Sequence, residues 1–116
     1  MNEKTERLKA LGADTDTGVK RCAGKEDLYL MLVGKALADR NFEKLAASVG
    51  AGNKEEAFAA AHALKGILSN LSLTPLAVRV AEVTEKLRGG GLPSPEELSD
   101  IENIRTGFIK ETGDKQ

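Results

Sequence analysis

The segment NKEEAFAAAHALKGILSNL, residues 53–71, decides the fold because its apolar residues recur at the spacing of a helix with one buried face. At about 100° per residue, a set of small and apolar side chains falls within about 60° of Leu64 on the helical wheel. This set comprises Ala57, Ala60, Ala61, Ile67, Leu68 and Leu71. Asn53 followed by Glu56 has the form of a capping box that begins the helix. We therefore expect an amphipathic helix that buries Leu64.

The segments on either side predict further helices. Residues 26–49 are predominantly apolar and predict a long helix with a bend near residues 39–41. Its stripe of Leu30, Val33 and Leu37 is expected to face the bundle interior, the alternative being a surface for a partner. Thr74 followed by a proline predicts an N-cap and a first-turn proline for the next helix. The last helix is predicted to start at Ser94, again with a first-turn proline and a capping glutamate.

A short N-terminal helix, capped by Asp14 and stopped at Gly24, precedes these four segments. Glycine runs at residues 50–52 and 89–91 separate the later helices. No strand-like alternation of apolar and polar residues occurs in the sequence. The prediction is an all-α, up-and-down four-helix bundle with a short extra N-terminal helix, forming one domain over residues 1–116 with a core of about residues 10–112.

Composition excludes several function classes. The 116 residues carry 17 basic and 18 acidic side chains, and this balance offers no field for nucleic acid or an acidic membrane surface. The single cysteine cannot form an intramolecular disulfide, and no apolar run suits a signal peptide or a membrane span. We expect a cytoplasmic protein, and Met1 and the polar tail favour a free-standing one.

His62 is the only histidine, and the wheel places it about 160° from Leu64, on the exposed face. Its helical neighbours are Phe58, Ala59, Lys65, Gly66 and Ser69. A glycine inside a helix costs about 1 kcal/mol relative to alanine. Gly66 removes the Cβ nearest the imidazole, as a second molecule approaching the ring would require. Reading His62 as an ordinary surface residue leaves Gly66 unexplained.

The sequence around His62 leaves one kind of chemistry. No HxxxH, ExxH or CxxC spacing for a metal site occurs, and no GxSxG segment supplies a nucleophile. The glycines at residues 89–91 lack the lysine and hydroxyl of a phosphate-binding loop. What remains is an unprotonated imidazole nitrogen that accepts a group itself, with Lys65 one turn on to neutralise an incoming phosphoryl group.

The motif H-A-L-K-G-x-x-x-N-L, residues 62–71, closely resembles the H-x-L-K-G-x-x-x-N-[LI] signature of histidine-containing phosphotransfer (HPt) domains. Residues 12–33 are similar to the N-terminal stretch of that family, and about residues 10–110 fit altogether. The chain departs from the family pattern at Leu68, often serine or alanine, at Ser72, usually glycine, and at Lys25, where an acidic or polar N-cap is expected. None of these positions lies on the His62 face.

The resemblance implies that His62 accepts a phosphoryl group from the phospho-aspartate of a response-regulator receiver domain and passes it to another receiver. Lys65 would neutralise the phosphoryl charge, and Gly66 would clear room for the receiver's active-site loops. The receiver would bring Mg²⁺, so no metal or cofactor is expected on this chain. The implied partners are receiver domains and a hybrid histidine kinase, and the chain would not be an enzyme in its own right.

The residues beside His62 are weaker candidates for receiver docking. They are Phe58, Ala59 and Ser69. The other interpretation of Phe58 is an aromatic ring packed against a neighbouring helix.

Two other functions remain open from the sequence. One is an HPt-like adaptor that binds receivers without carrying phosphate. The other is a dimeric kinase core, which is weaker because no nucleotide-binding segment follows the histidine. Since each apolar stripe has a partner within the chain, we expect a monomer.

Overall fold

The computed structural model describes residues 3–112, and the regular secondary structure of these residues is entirely helical. The helices are α1 (Glu3–Ala10), α2 (Thr15–Arg21), α3 (Glu26–Leu37), α4 (Asn41–Gly50), α5 (Lys54–Asn70), α6 (Thr74–Arg88) and α7 (Pro95–Thr112). The predicted all-α fold is therefore confirmed. None of these helices is both long and apolar enough to cross a lipid bilayer.

Helix α5 lies at the centre of the packing, between α4 and α6, while α7 packs against α6 and α3. Helices α3 and α4 together occupy the place of one helix in the four-helix bundle. Helices α1 and α2 pack against each other and against α3, and α1 also contacts α7. The interior is built mainly from aliphatic side chains, as the scarcity of aromatic residues requires. Its fully buried members include Leu45, Leu64, Leu68, Leu76, Val80 and Val83.

The segment 26–49 does bend where the sequence predicts. The chain leaves the helix after Leu37, and Asp39 accepts a hydrogen bond from the backbone N–H of Asn41 (2.8 Å) at the start of α4. Val33 and Leu37 are buried, as expected for an interior stripe, whereas Leu30 is only partly buried. Leu28 and Met31 of the same helix stay exposed, which leaves an uncovered apolar surface on α3.

Helix α1 is an addition that sequence analysis did not find. Its single strongly apolar residue, Leu8, is fully buried, and Arg7 forms an ion pair with Glu111 of α7 (3.1 Å). One leucine in eight residues shows no periodicity, so the helix becomes recognisable only through its contacts with α7 and α3.

The predicted N-caps form with one correction. Asp14 and Asn53 accept hydrogen bonds from backbone N–H groups three residues later, at 3.2 and 3.1 Å. Ser94 and Glu97 exchange both bonds of a capping box, at 3.1 and 2.8 Å. The prediction for Thr74 was wrong by one position, because Leu73 is the N-cap and Thr74 is already helical.

The C-terminus of α5 ends in a Schellman motif. The N–H of Leu73 bonds to the carbonyl of Leu68, and the N–H of Ser72 bonds to that of Ser69, both at 3.0 Å. Leu68 and Leu73, whose side chains such a motif brings together, are both fully buried. This geometry puts Ser72 in the left-handed region, at φ 57°. Glycine, the usual residue of the family at this position, adopts a positive φ without steric cost. The serine of this chain does not.

Three donors from the N-terminal part of the chain reach the same end of α5. The hydroxyl of Tyr29 donates to the carbonyl of Leu71 (2.8 Å), and the backbone N–H of Asp14 donates to that of Ser72 (2.9 Å). Arg21 Nη1 donates to the carbonyls of Ser69 and Asn70, at 3.0 Å each. These donors come from α2, α3 and the turn before α2. They reach the carbonyls of the last turn of α5 and that of Ser72 just beyond it, and Ser69 also accepts the Schellman bond.

Helix α2 comes close enough for these bonds because of Gly18. A Cβ at this position would lie 2.8 Å from Cζ of Tyr29 and 3.0 Å from the carbonyl oxygen of Leu71. Any larger residue would therefore push α2 away from the end of α5.

Substituting Ser72 with glycine should stabilise the protein. A left-handed non-glycine residue costs roughly 1–2 kcal/mol, and the added chain entropy of glycine offsets part of the gain, so we expect Ser72→Gly to raise the free energy of unfolding by about 0.5–1 kcal/mol. Urea denaturation measures the change. Ser72→Ala is the matched control, because it keeps the Cβ and should bring no comparable gain. Equal stabilisation by both variants would contradict backbone strain as the cause.

Stability should also fall in alkali because of Tyr29. Burial, with smaller contributions from the charges of Cys22 and Asp14, raises the pKa of Tyr29 from 10.0 to about 12. The unfolded chain ionises first, so this contribution to stability is complete below pH 10 and is lost as the pH rises towards 12. Phenolate absorbance reports this group alone, since Tyr29 is the only tyrosine. A midpoint near 10 in the folded protein would contradict the burial of this hydroxyl.

The control for the alkaline loss is Tyr29→Phe. It should lower the free energy of unfolding at neutral pH by about 1–2 kcal/mol, because the carbonyl of Leu71 loses its donor. It should also make the decline between pH 10 and 12 shallower than in the unsubstituted protein.

Candidate functional site

The two faces of α5 divide as the helical wheel predicts. Ala57, Ala60, Ala61, Leu64 and Leu68 are fully buried, and Ile67 at the edge of this arc is half-buried. His62 and Gly66 lie on the opposite side and are exposed. The imidazole is therefore accessible from solvent, and the core does not depend on it.

Gly66 leaves open space on one side of the imidazole. A Cβ built on Gly66 would meet no heavy atom of the described residues within 4 Å, apart from the helix's own backbone. Packing within this chain therefore does not require a glycine there, although α5 would be more stable with alanine.

Phe58 closes the other side of the imidazole. Its ring stacks on that of His62, with centroids 5.7 Å apart and planes inclined by 13°. Arg88 of α6 places its guanidinium carbon 5.0 Å from the centroid of the Phe58 ring, in cation–π contact. The interpretation of Phe58 as a ring packed against a neighbouring helix is thus supported by its contact with α6, while a role in receiver docking stays a prediction.

Lys65 lies one turn along α5 from His62 and is half-buried. No carboxylate among residues 3–112 forms an ion pair with it. Its ammonium group is therefore available to an anion arriving from outside the chain.

Arg21 is a site residue that sequence analysis missed. Together with His62, Gly66 and Ser69 it lines a shallow, open depression along the exposed face of α5. Its partners are main-chain carbonyls 48 and 49 residues away, and a main-chain acceptor leaves no trace in the side-chain sequence. Arg21 thus brings a cation to the depression, whose lining does not include Lys65.

The remaining predicted docking residues are divided by the structure. Ser69 lines the depression with His62, whereas Ala59 is exposed on α5 but is not part of the lining. Among residues 3–112, no group of three histidine, cysteine or acidic side chains is arranged to hold a metal ion.

An apolar groove adjoins the depression. It lies between α3 and α5 and shares Ile67 and Asn70 with the depression. The rest of its lining is apolar apart from two charged side chains: Leu32, Lys35, Ala36, Asp39 and Leu71. The His62 face is thus continuous with an apolar surface that extends onto α3.

The site is chemically simple. It consists of one accessible imidazole with an aromatic ring on one side, open space on the other, and cationic side chains nearby.

Comparison with family models finds the Hpt domain, matched over residues 35–110. No curated protein and no solved structure shows significant similarity to the chain.

Proposed function

The chain belongs to the Hpt domain family, whose members serve histidine phosphotransfer in phosphorelay signalling, and we propose that it is a phosphocarrier that uses His62 as its phosphoacceptor. It would accept the group from the phospho-aspartate of one receiver domain and pass it to another. The observation that carries the proposal is the accessible imidazole of His62 beside the open space at Gly66.

The transfer can be written with every bond accounted for. A lone pair on the unprotonated imidazole nitrogen forms an N–P bond as the P–O bond of the receiver's acyl phosphate breaks. The electron pair of that bond leaves with the aspartate carboxylate. Transfer to the next receiver runs in reverse, with the aspartate oxygen attacking phosphorus and the imidazole leaving. Such transfers depend chiefly on in-line positioning and charge neutralisation.

The cations of the site suit this chemistry. Lys65 has no intramolecular carboxylate partner in the described part of the chain, so it can approach the phosphoryl oxygens. We expect the receiver to supply Mg²⁺ and its own acidic pocket. This chain would then act as a carrier without independent catalytic activity.

A receiver would dock over the depression and the adjoining apolar groove. Leu28 and Met31 are exposed on α3, the helix that also forms one wall of the groove, and burying them would contribute to binding. Ala59 and Ser69 remain candidates for contacts at the edge of the same face. The partners would be response-regulator receivers and a hybrid histidine kinase, and the proposed location is the cytoplasm.

A monomer fits this arrangement better than a dimeric kinase core. In such a core the histidine helix pairs with a second chain, whereas the buried face of α5 is already covered by α4 and α6. The exposed face of α5 is then left for transient partners.

Phosphorylation of His62 can be tested directly. Incubation with phosphorylated receivers should label the protein with a phosphoramidate that is acid-labile and alkali-stable. His62→Gln should abolish the label, and its free energy of unfolding should change by no more than about 0.5 kcal/mol because His62 is exposed. Label that persists in this variant would point to another acceptor. Receiver binding without any label in the unsubstituted protein would favour the adaptor.

A second test uses Gly66. Gly66→Leu should keep or raise the stability of α5, by roughly 0.5–1 kcal/mol, while severely slowing transfer, because the new side chain fills space that is open in the free protein. Thermal unfolding and receiver-dependent labelling measure the two effects separately. Gly107→Leu on α7 is the matched control, since a Cβ there also meets nothing within 4 Å. Transfer at the normal rate by Gly66→Leu would rule out steric clearance as the reason for the glycine.

A further inference from the structure

We propose that Phe58 is a positioning residue, which holds the imidazole of His62 in one orientation for phosphoryl transfer; this inference rests on the function proposed above. Phe58 and His62 are four residues apart on α5, where side chains meet along the same face. Their rings are 5.7 Å apart between centroids and nearly parallel, within the range in which aromatic pairs attract each other.

The orientation of an exposed imidazole needs such a restraint. Rotation about the bond to an aromatic ring has a broad energy profile, so a ring surrounded by water samples many directions. The attacking nitrogen must point along the line of the bond that breaks in the phosphodonor. A parallel neighbour favours rotamers that keep the two rings face to face, and thereby limits the directions in which the nitrogen points.

Phe58 is itself restrained from a second helix. Its half-buried ring packs against the core, and the guanidinium of Arg88 lies 5.0 Å from its centroid. Glu85 accepts a hydrogen bond from Nε of Arg88 (3.2 Å), which orients that guanidinium. Contacts from both α5 and α6 therefore restrain the position of the imidazole.

The two sides of His62 are thus unlike. Phe58 occupies the side one turn towards the N-terminus, and Gly66 leaves the side one turn towards the C-terminus open. Because the nitrogen lone pairs lie in the plane of the imidazole, a ring stacked on one face limits the rotation of the imidazole without blocking the edge that a phosphodonor approaches. This arrangement gives Phe58 a role in transfer that needs no contact with the partner protein.

The experiment compares two donors on the full chain. Phosphoramidate is a small donor that makes no protein contact: the imidazole nitrogen forms an N–P bond, the donor's P–N bond breaks, and its protonated amino group leaves as ammonia with that electron pair. We expect Phe58→Leu to slow labelling about two- to tenfold with phosphoramidate and with a phosphorylated receiver alike. Phe58→Tyr, which keeps the ring, should restore both rates.

Proton NMR supplies a readout that general destabilisation would not produce. His62 is the only histidine, so its ring protons are identifiable, and the ring current of Phe58 should displace their resonances. Phe58→Leu should remove this displacement and Phe58→Tyr should keep it. Arg88→Gln, a change at an exposed residue, should reduce the displacement by freeing the Phe58 ring.

Each outcome decides the proposal. Slowing confined to the receiver reaction would make Phe58 a docking anchor and overturn the positioning role. Unchanged rates in Phe58→Leu, or resonances undisplaced in the unsubstituted protein, would overturn it too. If Phe58→Leu does not fold, Arg88→Gln still tests the proposal. Its labelling rate with phosphoramidate is expected to fall less than twofold. An unaltered His62 spectrum in Arg88→Gln would then contradict the positioning role. Failure of the unsubstituted protein to accept phosphate on His62 would instead refute the proposed function.

Discussion

The bundle depends on satisfying the carbonyl groups at the C-terminus of α5. A helix end leaves its last carbonyls without intrahelical partners, and leaving the buried carbonyl of Leu71 unpaired would cost about 1–3 kcal/mol. Here Arg21, Tyr29 and the backbone of Asp14 supply the donors, while the chain turns sharply into α6. The helix that carries His62 is thereby joined at one end to the N-terminal helices and to its successor.

The same arrangement connects stability with the site. Gly18 lets α2 approach Tyr29 and the end of α5, and this approach places Arg21 on the rim of the depression that contains His62. A residue whose hydrogen bonds are structural thus also brings positive charge to the exposed face of α5. Leu68, in contrast, departs from the family pattern on the buried face, where it contributes to packing and does not touch the site.

Much of this could be predicted from the sequence, because the relevant forces act over one or two turns of helix. The wheel around Leu64 predicts the buried and exposed faces of α5, and local capping patterns at Asp14 and Ser94 predict helix starts. Arg21 and Arg88 escaped prediction since their partners lie on other helices. Helix α1 escaped because one buried leucine shows no periodicity. Thr74 was misplaced because the carbonyl of Leu73, one residue earlier, already accepts the first bonds of α6. Local patterns therefore predict elements and faces, while contacts between distant segments have to be observed.

The closure at the end of α5 has a consequence for how the chain folds. Helices α4, α5 and α6 follow one another through short turns, so their mutual contacts require little loop-closure entropy and should form early. The bonds from Tyr29 and Arg21 join residues 42 to 49 positions apart and should form later. The folding chain would thus build the helix of the phosphoacceptor before the rim of its binding face is complete. Molecules that are not yet fully folded would then lack a complete binding face, and the order of folding alone would keep them from binding a partner.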